Sequence, residues 1–292
     1  MEKRAKRKYD LTEGGILSKL LLVALPIMGT QLMQMSYNLT DMFWLGRLSS
    51  DAVAASGTAG MFMWLSMAFV MIGRMGAEIG VSQSLGRGDE EGAKQYAQNA
   101  VLLAMGLGAS YGLLLLVLRG PLVGFFAFSA EDAHVARDAE LYLAIVSLGM
   151  PFGFVASSLV GAFNGSGNSK TPFLTNAAGL VANMILDPLM IFGLNLGVAG
   201  AALATVLAQA FSFALLAVAM KRGRGRPFAR FSFFTRLQGA IVRQILKWSV
   251  PIGLESMFFT LLTMVSSRLV TSFGASAMAV SRVGSQIESL SW

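Results

Sequence analysis

The chain has no cysteine among its 292 residues and a single histidine, His134. The first absence removes disulfides, thiol nucleophiles and thiolate metal sites. The second leaves no histidine cluster, and His134 lies in the polar stretch 129–140 beside Glu131, Asp132 and Asp138. It reads as a solvated loop residue rather than a metal ligand. With no paired metal-ligand spacing either, there is little for an enzyme to do chemistry with, so no catalytic residue, resident metal or cofactor is assigned. Charge is scarce as well: 13% of residues are charged, against about 25% in an average soluble domain. What fills the space is apolar, 54% of the chain with a mean hydropathy of +0.61. That composition belongs to an integral membrane protein.

Apolar runs between polar breaks place spans near 16–45, 52–77, 97–118, 139–162, 173–196, 198–220 and 246–270, with an eighth beginning near Ala277. Each is close to the roughly 20 residues that cross a hydrocarbon core of about 30 Å. The basic run Lys3, Arg4, Lys6, Arg7 and Lys8 is followed by no small-residue cleavage site, and the apolar segment after it is too long for a signal peptide. The first span is therefore expected to be retained. The breaks carry turn chemistry, as in Gly86-Arg-Gly-Asp89 and Asn164-Gly-Ser-Gly167.

The net charge of +7 follows membrane topology rather than a nucleic-acid partner. With the N-terminus in the cytoplasm, the inner side collects the N-terminal run, then Arg87, Lys94 and Lys170, then Lys221, Arg222, Arg224, Arg226, Arg230 and Arg236, with Arg243 and Lys247. The outer side collects Arg47, Arg119 and Arg137. Six spans between the two strongly basic segments satisfy the rule that such segments stay inside. The sequence also repeats: a shift of 225 positions (251 minus 26) lays Leu21 to Ile27, including Pro26, over Leu246 to Ile252, including Pro251. The same shift lays Ala52 to Ser56 over Ala277 to Ser281. Span seven restates span one, as in transporters built from repeats.

A polar side chain inside a span needs protein or a water-filled cavity, since lipid cannot satisfy it. Span one carries Gln31, Gln34, Tyr37, Asn38 and Asp41 at separations of three and four, one stripe of a helix. Span five carries Asn176, Asn183 and Asp187 on one face, and span six adds Thr205, Gln209 and Ser212. A shared cavity is the economical arrangement. Asn and Thr alone would suffice to glue helices together at about 0.6 kcal/mol per contact. Two carboxyls do more, because an acid out of water favours a bound proton or cation. Asp187 near the middle of span five and Asp41 further toward the outer face are thus candidates for cation binding, while Gln34, Asn38, Gln209 and Asn176 are candidates for lining a substrate cavity. Pro188 follows Asp187 directly and Pro26 interrupts span one, so both mark expected bends. Arg74 and Glu78, spaced i, i+4, are expected to pair, and Glu255 is expected in the first turns of span seven.

Several of these elements resemble a known family. Tyr37-Asn-Leu-Thr-Asp41 with Leu45-Gly46, Gly161-Ala-Phe-Asn-Gly-Ser-Gly-Asn-Ser-Lys-Thr-Pro172, Asn183 to Pro188 and Gly197-Val-Ala-Gly-Ala-Ala-Leu-Ala-Thr205 are similar to the multidrug and toxic compound extrusion (MATE) transporters, closest to their prokaryotic DinF-like branch. The resemblance implies an all-α polytopic bundle of twelve spans in two lobes. Residues 1–220 would form a complete six-helix N-terminal lobe, 221–245 a basic cytoplasmic linker, and 246–292 the start of a second lobe, the chain stopping early within it. It implies export of organic cations or other amphipathic compounds in exchange for H⁺ or Na⁺, with no other cofactor, by a protein that is monomeric when complete and sits in the cytoplasmic membrane. Coupling would fall to Tyr37, Asp41, Asn183, Asp187 and Thr205, with Na⁺ held at Asp41 and Asp187 if sodium is the ion. Alternatives are a flippase for lipid-linked sugars or peptidoglycan precursors, whose anionic cargo would want cations inside the spans, and an inactive fragment of the transporter.

Overall fold

The computed structural model describes residues 16–126, 133–222, 228 and 231–271. The expected eighth span and the N-terminal basic run lie outside these. Among the described residues there are seven α-helices and no strand: α1 (Ile16–Leu48), α2 (Ser50–Gly86), α3 (Glu90–Gly124), α4 (Ala133–Gly165), α5 (Lys170–Pro188), α6 (Gly197–Arg222) and α7 (Gly239–Thr271). Five of them, α2 to α6, are long and apolar enough to cross a membrane, α5 together with the short segment after it.

The helices overrun the apolar runs that announce them. α3 begins at Glu90, though its apolar run starts at 97, because Glu90, Glu91 and Lys94 favour helix and are stable in water at the membrane edge. Starts are fixed by caps: the Ser49 hydroxyl accepts from Ala52 N at 2.9 Å and Asp89 Oδ1 accepts from Gly92 N at 2.8 Å. The Asn164-Gly-Ser-Gly167 turn reverses the chain between α4 and α5, and Asn168 then holds the start of α5, accepting from Thr171 N at 3.3 Å and donating to Thr171 Oγ1 at 2.8 Å.

α4 is the hub, packed against α2, α3 and α6, while α5 lies on α6 and α1 leans on α5. α2 and α4 meet at backbone distance. A methyl group at Gly161 or Gly165 would collide with the carbonyl oxygens of Arg74 and Glu78, so only glycine allows this approach. The core divides into two clusters. One gathers Leu45, Leu115, Leu143, Phe154 and Ile191; the other gathers Val81, Val101, Leu159, Leu216 and Ile245 toward the end where α6 gives way to α7.

Two expectations change here. The linker is shorter than 221–245, since α6 persists to Arg222 and α7 already begins at Gly239; its cations are compatible with helix, so charge alone does not end one. Glu255 consequently lies about four turns into α7, and is exposed. Nor is the linker merely solvated: Phe228 and Phe231 are buried, with Phe228 against Phe163 of α4 and Phe233 against Phe213 of α6.

Candidate functional site

The buried acid lies where α5 changes its hydrogen bonding. Asp187 is fully buried, at 0% exposure, and Asn183, one turn earlier on the same face, is 1% exposed. The Asn183 amide donates to Asp187 Oδ1 at 3.3 Å. Immediately afterwards the backbone widens into a π-helix, Leu189–Gly193, closed by Leu194 N donating to Leu189 O at 2.9 Å. The departure expected at Pro188 thus takes the form of a widened turn, one frequent at functional positions. Gly200 of α6 makes room for it, because a Cβ there would press on the backbone of Met190 and Ile191.

Asp41 of α1 is half-buried and close enough to Asp187 for the two carboxyls to repel one another. Asp41 Oδ1, Asn183 Oδ1 and Asp187 Oδ2 are all buried without a hydrogen-bond partner among the described residues. All three are acceptors, so among the described residues this site is short of a donor or a cation. Buried polar groups are otherwise almost always paired, and leaving acceptors dry costs about 1–3 kcal/mol each. Oxygen donors of this kind suit Na⁺ as well as a proton. Thr205 of α6 is also buried, at 2%.

One turn beyond Asp41, the Trp44 indole packs edge-on against Phe192 of the π-helix, 6.2 Å between ring centroids, and its Nε1 is buried with no acceptor among the described residues. Neither Trp44 nor the π-helix stands out in the sequence, where a tryptophan among apolar residues reads as core or lipid-facing surface.

The other candidates are spread more widely. Asn176 is half-buried on α5, two turns before Asn183. Gln209 and Ser212 do not share one target: Gln209 packs against Gly149 and Gly153 of α4, and Ser212 against Gly179 of α5. α6 is wedged between those helices, so a stripe that is continuous on its surface is divided between two interfaces. Tyr37, Gln34, Gln31, Asn38 and Pro26 lie within α1, but their side chains are outside the described set.

Two pairings also differ from expectation. No ion pair within 4.0 Å joins Arg74 to Glu78 among the described residues, although the Arg74 charge acts on the Glu78 carboxyl from a distance and Asn164 of α4 faces the same carboxyl. His134 is not in a loop but in the first turn of α4, and its Nε2 lies 2.9 Å from Asp51 Oδ2 at the start of α2.

The site is thus a pair of mutually repelling carboxyls brought together by the first and fifth helices of an apolar helical bundle. Residues 26–189 match the family model MatE. The chain belongs to the MatE family, a family of multi-pass membrane transporters and not of enzymes. It is 29% identical over 278 residues to the probable multidrug resistance protein YpnP of Bacillus subtilis, covering 92% of this chain and 59% of that protein. To the probable multidrug resistance protein NorM of Thermotoga maritima it is 27% identical over 290 residues, covering 95% of this chain and 60% of that one. The chain thus spans about three-fifths of the length of these relatives. A crystal structure of MATE in complex with MaD3S superposes with a TM-score of 0.88 at 22% identity, over 97% of this chain and 64% of that one, which establishes the fold.

Proposed function

We propose that this chain serves cation-coupled export: H⁺ or Na⁺ entering the Asp41–Asp187 pocket drives expulsion of an organic cation or other amphipathic compound across the cytoplasmic membrane, with the N-terminus on the cytoplasmic side. Alternating access would require the six-helix lobe to work against a second lobe. The observation that carries the reading is the set of three buried oxygens, on Asp41, Asn183 and Asp187, that have no partner among the described residues. Two mutually repelling carboxyls change the forces between α1 and α5 when a cation arrives. Tyr37 and Thr205 complete the coupling group by the family resemblance. Gln34, Asn38, Gln209 and Asn176 are proposed to line the substrate path, and the complete transporter is proposed to act as a monomer.

The names of the two relatives, probable multidrug resistance proteins, support the substrate class. The test is efflux of a cationic dye from vesicles, driven by an imposed H⁺ or Na⁺ gradient, with this lobe in a two-lobe transporter. Asp187→Asn should abolish gradient-driven efflux while leaving the protein folded. Undiminished transport by that variant would remove Asp187 from the coupling site.

A further inference from the structure

From Lys221 to Lys247 the chain carries eight Lys and Arg residues and no acid. Positive charge on a cytoplasmic linker is ordinary topology; the arrangement around it is not. The linker is pinned inward by its aromatic residues. Phe231 is 6% exposed, Phe233 stacks edge-on against both Phe231 and Phe213, and Lys221 Nζ sits 5.5 Å from the Phe233 ring centroid. Its last residue is tied down too, Gln238 N donating to Asn99 Oδ1 of α3 at 2.8 Å. A segment fixed in this way has a defined outer face.

On that face the alternation 231 in, 232 out, 233 in carries on and turns Phe234 outward, 80% exposed, and Leu237 beyond it is 59% exposed. Between them Arg236 is exposed, and Arg243 and Lys247, one turn apart in the first turns of α7, are exposed too. Apolar side chains projecting among cations suit neither water nor a polyanion such as RNA. They suit a membrane interface, where rings enter the acyl boundary and cations meet headgroups. The position agrees: residues 231–238 follow α6, a helix long and apolar enough to cross a membrane, and lead into α7 at Gly239.

We propose that the α6–α7 linker is a binding surface for anionic phospholipid, with Arg236, Arg243 and Lys247 taking the phosphodiester and Phe234 and Leu237 seated in the acyl boundary. The surface is separate from the Asp41–Asp187 pocket and does not depend on the direction of transport.

The experiment is native mass spectrometry of the delipidated full chain in detergent, titrated with equimolar phosphatidylglycerol and phosphatidylethanolamine. The wild type should retain phosphatidylglycerol in clear excess. The triple variant R236Q/R243Q/K247Q should lose that excess by roughly tenfold or more, with its thermal midpoint reporting that it remains folded. R119Q/R137Q, at the opposite end of the bundle, should keep it. Equal retention of the two lipids by the wild type, unaltered preference in the triple variant, or the same loss in the opposite-end variant would each overturn the assignment. So would displacement of the lipid by soluble glycerophosphoglycerol, since the headgroup anion alone would then account for binding.

Discussion

The Asn183 amide donates to one oxygen of Asp187 at 3.3 Å and leaves the other buried oxygen with no partner among the described residues. One carboxylate is therefore half-anchored: a single oxygen is fixed by its own helix, and the second is left to a cation or a proton. The anchor sets where a cation would sit, because the free oxygen can turn only about the one that is held.

That arrangement makes Asn183 the natural probe of the site. Asn183→Ala removes a hydrogen bond to a carboxyl, an interaction worth about 1.5–3 kcal/mol when the acceptor is charged. The expected result is cation binding weakened by roughly tenfold to a hundredfold, measured by calorimetric titration of the detergent-solubilised chain with Na⁺ and, separately, by proton uptake. An unaltered affinity for both ions would place the cation elsewhere.

The close contact of α2 with α4 predicts a contrast between two glycines. Gly165→Ala drives a methyl group into the Glu78 carbonyl, whereas Gly106→Ala meets nothing within 4 Å. The first should cost about 1–3 kcal/mol, seen as a lower thermal midpoint. The second should be neutral or slightly stabilising, alanine being the better helix former by about 1 kcal/mol. Equal midpoints for the two variants would mean that the helices are not in backbone contact.

His134 and Asp51 tie the start of α4 to the start of α2 across 2.9 Å, but both side chains are more than half exposed. Exposed pairs contribute about 0–1 kcal/mol. His134→Ala should therefore shift the thermal midpoint by only a few degrees and leave transport untouched; a large loss of either would assign the histidine a role beyond tethering.

The buried linker ring predicts a change in protease access. Phe231→Ala empties an aromatic position packed against Phe228 and Phe233, a loss of about 3–5 kcal/mol for a fully buried phenylalanine. Because the segment is rich in arginine, trypsin should cut between 222 and 236 markedly faster in the variant than in the wild type. Cleavage at the same rate in both would show that the ring does not hold the linker down.

Much of the fold is legible in residue order. The apolar runs locate all seven described helices, and the Asn183–Asp187 spacing puts amide and acid on one face, where the structure has them. The features that escape such a reading depend on neighbours. An i, i+4 rule brings Arg74 to Glu78, and the charge of Arg74 does act on that carboxyl, but the rule sees one helix and misses Asn164, which faces Glu78 from another. The polar stripe of α6 is real as a pattern, yet wedging between α4 and α5 sends Gln209 and Ser212 to different partners. Hydropathy counts the linker phenylalanines but cannot say that their contacts on α4 and α6 lie within reach. Pro188 signals a departure from regular helix without specifying which one, since that is decided by Gly200 on the facing helix.

The five-residue π-turn after Pro188 has a mechanical meaning. It holds one residue more per loop than an α-turn, and an α-helix advances about 100° per residue. Were the extra residue to pass along the chain, the helical stretch it crossed would revolve by that angle with no bond broken in the covalent backbone. Asp187 stands at the edge of that stretch, and Phe192 within it touches Trp44 of α1. The segment is in effect a thread: an axial slip on one side of it appears as rotation on the other.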